Sequence, residues 1–218
     1  MGGTKPVRNI GLTNLKKNRT MNNNTSCQQF PSDDSPREEL DKLLLRVEHH
    51  VRDVMHKDGR LRPTLFAVSP EGLSIFAPGP LNEVSEKNEF AAVARLICAA
   101  QGAIAVVLAI EAWVLEAKPG ERLDPHALPS ASPHRREFIY LSGEALGRTY
   151  QQKFLPILRD HRGRFACLGM AKVLPPEAAE GRFANLLPQI PVTEEVRAFA
   201  AAVLKTKGIF RVKSLGEY

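Results

Sequence analysis

From Leu40 onward the apolar positions recur at helical spacing. Leu40, Leu43, Leu44, Val47, Val51, Val54 and Met55 fall on one face of a helix. Ser35-Pro36-Arg37-Glu38 has the form of a capping box with proline at the first helical position, and Asp58-Gly59 supplies a stop. The period then shortens. Thr64 to Val68 and Leu73 to Ala77 are β-rich pieces separated by Ser69-Pro70-Glu71-Gly72, a proline and glycine combination that suits a tight turn, so a hairpin is predicted. After Pro78-Gly79-Pro80, Ser85 stands where it would cap a second helix whose stripe is Phe90, Val93, Ala94, Ile97 and Cys98 and whose end is Gly102.

The segment Gly102 to Ala117, GAIAVVLAIEAWVLEA, is apolar almost throughout until Glu111, which predicts a strand buried on both faces at the centre of a sheet. Lys118 to Pro133 carries four prolines and reads as a long loop. Three more β segments follow, at Glu137 to Ser142, Tyr150 to Leu158 and Arg164 to Met170. Asp160-His161-Arg162-Gly163 would turn the last pair, and Pro156 marks an edge or a bulge. Residues 174 to 191 read as an irregular wrap that offers Phe183, Leu186 and Leu187 for docking. Thr193-Glu194-Glu195 then opens a third helix with Val196, Phe199, Ala200, Val203 and Leu204 inward and Gly208 at its end.

Short connections make the sheet antiparallel, and the predicted class is α+β: a central antiparallel sheet of about five or six strands with helices packed against it, in the order α-β-β-α-β-β-β-β-α. That order of elements, over most of residues 36 to 207, is similar to the roadblock and profilin-like sandwich and more distantly to PAS and GAF sensor domains. The likeness is one of element order and implies a fold, not a function.

Composition adds a boundary. The first 35 residues are rich in Asn, Thr, Gln, Gly and basic side chains and lack apolar periodicity, so they are expected to be a disordered basic tail ahead of one α+β domain at 36–218. Of the net charge of +6, half lies in that tail. A domain so near neutrality has no obligatory polyanion partner. The three cysteines, Cys27, Cys98 and Cys167, form no CxxC pair, and the last two fall in apolar segments, which fits a reducing compartment. The N-terminus lacks an apolar signal core, and the Gly102–Ala117 run is short for a membrane span and carries Glu111 and Glu116. A cytoplasmic location with no membrane contact is the expectation.

Candidate chemistry is sparse. No GxGxxG and no GxxxxGK[ST] is present, and Gly143 to Gly147, GEALG, lacks the spacing of either, so no cofactor is expected. His49, His50 and His56 miss the i, i+4 spacing of helical zinc ligands and read as a solvated face, so no metal is expected either. Glu111 would share a face with Trp113, while Glu116 would point to the other. His134 at the end of the long loop, with Asp160 and His161 from the later turn, supplies groups for a hydrolytic site near Glu111 if they converge. Between Arg135 and Lys172, eight basic residues stand against three acids, with Tyr140, Tyr150, Phe154 and Phe165 interleaved. Arg135, Arg136, Arg162 and Arg164 are therefore the candidates for contacting nucleic acid.

The first expectation is a non-catalytic interaction or accessory protein that meets a protein partner or a second copy of itself. Nucleic-acid association through residues 135–172 is the second, and a hydrolase using Glu111, His134 and His161 is the third.

Overall fold

The computed structural model describes residues 34–79, 81–115, 132, 135–174, 181–209 and 213–215. The basic N-terminal stretch, Cys27, the Ser35 side chain, Glu116, most of the Lys118–Pro133 loop and His134 lie outside the described residues.

Helix α1 (Asp34–Asp58) is followed by the hairpin β1 (Thr64–Ser69) and β2 (Gly72–Phe76), then helix α2 (Val84–Gln101). A run of strands comes next: β3 (Ala105–Leu115), β4 (Arg135–Ala145), β5 (Thr149–Arg159), β6 (Phe165–Leu168) and β7 (Lys172–Leu174). Helix α3 (Glu194–Thr206) and a last strand, β8 (Lys213–Leu215), complete the described chain. The class is α+β, as the hydrophobic pattern predicts. The strands form one antiparallel sheet in the order β6-β5-β4-β3-β1-β2-β8, with β7 also beside β5. Three-residue β7 and β8 take the sheet beyond the five or six strands expected, because segments so short carry no period of their own.

Strand β3 is central, between β1 and β4, and its first half is buried on both faces. Ala105, Val107 and Ala109 pack with Leu40, Leu43, Leu44, Val47, Val51 and Met55 of α1. Val106 and Leu108 pack on the other face with Phe90, Val93, Ile97 and Cys98 of α2 and with Leu186 and Leu187 of the wrap. Glycine at 143 lets α1 approach β4 closely, since a β-carbon there would stand 2.8 Å from Leu40 Cδ1.

Several local expectations are corrected. The α2 cap is Glu83 rather than Ser85: Glu86 reaches back to accept from the N–H groups of Asn82 (2.6 Å) and Glu83 (2.8 Å), so the helix starts a residue before the serine. Strand β4 continues through Gly143 and Glu144 to Ala145, and a turn at Leu146-Gly147-Arg148 joins it to β5. Pro156 falls between the segments of β5 that pair with β7 and β6, and its carbonyl accepts from the Gly169 N–H at 2.8 Å. Cys98 is buried in the α2 core, but Cys167 lies exposed on the outer strand β6. Helix α3 turns Ala200 and Leu204 inward, whereas Val196 and Phe199 are exposed.

Candidate functional site

The acid and histidine candidates do not converge among the described residues. Glu111 is exposed and accepts a hydrogen bond from the Leu61 N–H, which ties the segment after α1 to β3. It shares a cleft of about 650 Å³ with Trp113, Glu137, Arg159, Lys87 and Phe183, and neither Asp160 nor His161 is among the described residues lining it. Asp160 is consumed by its own turn. Its carboxylate accepts from the backbone N–H groups of Arg164 (3.0 Å) and Arg162 (2.8 Å) and from the Arg164 guanidinium (2.9 Å). The Arg164 N–H, more than any other group, holds this carboxyl below its ordinary range. His161 is exposed in the same turn. No group of three His, Cys, Asp or Glu side chains is placed to hold a metal among the described residues.

The basic candidates are mostly engaged. Arg135 lies over the Trp113 ring at 4.6 Å, Arg159 donates to Glu137 at 2.6 Å, and Arg164 pairs with Asp160. Arg136 also has a partner. Arg162 is exposed in the β5–β6 turn. Tyr140 and Phe154 stack on each other at 4.8 Å, with Phe138 edge-on to Phe154 at 5.7 Å.

One buried acid escapes a reading of the sequence. Glu144, 2% exposed, accepts from the successive N–H groups of Leu186 (2.7 Å) and Leu187 (3.1 Å) through one oxygen, while its second oxygen meets no donor among the described residues. Burial drives its pKa upward against the pull of those N–H groups. The wrap it holds is fixed from two other sides. Arg95 donates to the carbonyls of Arg182 (2.9 Å), Ala184 (2.9 Å) and Asn185 (3.1 Å), and the Tyr150 hydroxyl donates to Asn185 Oδ1 (2.9 Å). Asn185 takes a left-handed φ of 55°, which lets the next two N–H groups turn toward one carboxylate. Glu144 is a structural pin, and the alternation Tyr140-Ser142-Glu144 against Ile139-Leu141-Gly143 is the signal that would have placed it on a strand.

The surface with the clearest unmet demand is on α3. Thr193 caps the helix by accepting from the Val196 N–H, and Glu194 and Glu195 sit in its first turn. Arg197 locks it to the domain. Its guanidinium pairs with Glu71 of the β1–β2 turn at 3.1 Å and reaches the carbonyls of Ala100 and Gln101 that end α2. Lys207 pairs with Glu89 of α2 at 3.0 Å, and the Ile209 N–H closes on the Leu204 carbonyl. A helix held this firmly still buries only Ala200 and Leu204 and leaves Phe199 69% and Val196 45% exposed, with Ile190 exposed just upstream. Compared with protein-family models, with curated proteins and with solved structures, the chain shows no match to any of them.

Proposed function

We propose that this chain is a non-catalytic interaction or accessory protein that pairs with a second copy of itself through the outer face of α3. The observation that carries the reading is Phe199, an aromatic side chain turned to solvent from a helix that ion pairs and caps hold in place. Solvating such a side chain is costly, and covering it is favourable. A second copy fits the charge pattern. Glu194 and Glu195 occupy the first turn and Lys205 the last, so two α3 helices running antiparallel across a two-fold axis set acids against bases and oppose their dipoles. Phe199, near the middle of the helix, then meets its own counterpart.

Nucleic-acid association through residues 135–172 draws less support, because Arg164 is paired with Asp160 and Arg135 lies over the Trp113 ring. A hydrolytic site draws less still, with Asp160 committed to its own turn. The test is sedimentation or light scattering across a concentration series. A dimer is expected at about 0.1 mM protein, and Phe199→Asp should return it to a monomer that still unfolds cooperatively. A parent chain that stays monomeric at that concentration, or a dimer indifferent to Phe199→Asp, overturns the proposal.

A further inference from the structure

Helix α1 meets the sheet with two unlike flanks. On the β5 side its polar groups are bonded: Asp41 accepts from Gln151 at 2.6 Å, and Glu48 accepts from Lys153 at 3.3 Å and from Arg52 at 2.8 Å. On the β2 side, the side chains of Arg46, His49, His50 and Asp53 make no hydrogen bond or ion pair with any described residue; His50 meets only the Phe66 ring, edge-on at 5.3 Å. Beneath this unpaired flank runs a groove of about 750 Å³. Phe66 of β1 and Leu73 and Ile75 of β2 form its floor, and Leu45, 57% exposed, stands on its α1 side.

We propose that this groove binds a free single-chain carboxylate of the fatty-acid class, with the alkyl chain on Leu73, Ile75 and Leu45 and the carboxylate on Arg46. The floor decides against an extended peptide. Its side chains offer no donor or acceptor, and the outer edge of β2 is already taken by β8 through the pairs Leu73–Leu215, Ser74–Ser214 and Ile75–Lys213. An extended peptide laid there would desolvate backbone N–H and C=O groups without giving them partners, whereas an alkyl chain needs none. The rim decides the head group. Arg46 presents an unpaired planar fork that matches a carboxylate, and His49 and His50 stand beside it as further donors. Asp53 is the acid on this flank; it lies seven residues, or about 10 Å along the axis, beyond Arg46, which directs an anionic head toward the Arg46 end. The volume lies in the range of small-molecule sites.

Calorimetric titration of the full chain with laurate, dodecanol and dodecylammonium, each below its aggregation concentration, tests this. Laurate should bind saturably at one per chain and about tenfold or more tightly than dodecylammonium. That comparison on the parent protein needs no variant. Arg46→Gln should weaken laurate about tenfold and leave dodecanol unchanged. Leu45→Glu, at an exposed position that does not threaten folding, should weaken both laurate and dodecanol. Absence of saturable laurate binding, equal affinity for the two charged head groups, or, in a parallel titration with anionic phospholipid vesicles, binding to the vesicles alone overturns the proposal.

Discussion

Leu40 of α1 and Gly143 of β4 are in contact so close that a β-carbon on the glycine would stand 2.8 Å from the leucine Cδ1 and 3.3 Å from the Gln151 carbonyl oxygen. Leu40 is fully buried in the core, and the Gln151 carbonyl belongs to β5, which is paired with β4. Gly143→Ala should therefore destabilise the fold by about 1–3 kcal/mol, the usual cost of overpacking a filled core. Gly79→Ala, where an added methyl meets nothing within 4 Å, should change the midpoint of urea unfolding very little. Equal midpoints for the two variants would refute the close approach of α1 to β4.

The carboxyl of Glu144 gives the fold a pH dependence of defined sign. Burial raises its pKa above the unfolded value, so as pH rises the unfolded chain releases this proton first. This group's contribution to stability is full below the unfolded pKa and declines as pH rises from about 4.5 through the folded value. Glu144→Gln should flatten that decline when unfolding midpoints are compared across pH. Glu144→Leu also strands the N–H groups of Leu186 and Leu187, at roughly 1–3 kcal/mol for each buried donor left unpaired. Parallel pH profiles for parent and Glu144→Gln would show that this carboxyl does not set the slope.

These two neighbours also mark where the sequence stops being legible. The β3 core could be read directly, since Ala105 to Ala109 is an unbroken apolar run that only a doubly covered strand accommodates. The β pattern predicts a strand only to Ser142 and stops short of Gly143 and Glu144, because glycine and glutamate are poor strand formers. What makes them a strand is pairing with Val107 and Val106, a tertiary fact absent from local composition. Helix α3 shows a different limit. Its spacing gives a face containing Val196, Phe199, Val203 and Leu204, but where α2 lies relative to that face decides which half is covered. The position of Glu111 on the central strand suggests a buried acid, yet the sheet there extends past β1, which ends its pairing at Ala109, and leaves it at the surface.

The cysteines provide a probe that needs no substitution. Burial of Cys98 on the inner face of α2 pushes its thiol up to about 12, so at pH 8 it is held as the unreactive thiol. Cys167 is exposed on β6. Iodoacetamide at pH 8 followed by peptide mass analysis should therefore find Cys167 modified in the native protein and Cys98 modified only after denaturant is added. Native labelling of Cys98 at a rate comparable to Cys167 would mean that α2 does not seal its face of the sheet.

The sharpest test of the architecture is at Val107. It has no exposed surface, is paired with Phe66 of β1 and Gly143 of β4, and packs toward α1 in the centre of the sheet. Val107→Asp would bring a carboxylate into this apolar layer, among the buried hydrophobic side chains of α1, β1, β4 and β5. The cost of an unpaired buried charge is several kcal/mol even after relaxation, comparable to the whole stability of a typical domain. Cooperative unfolding should be lost, or the protein should fail to accumulate in soluble form. Ala166→Asp makes the same chemical change at an exposed position on β6, and its effect should stay within about 0.5 kcal/mol. If Val107→Asp unfolds cooperatively at the parental midpoint, β3 is not covered on both faces, and the packing of α1 and α2 on opposite sides of the sheet fails with it.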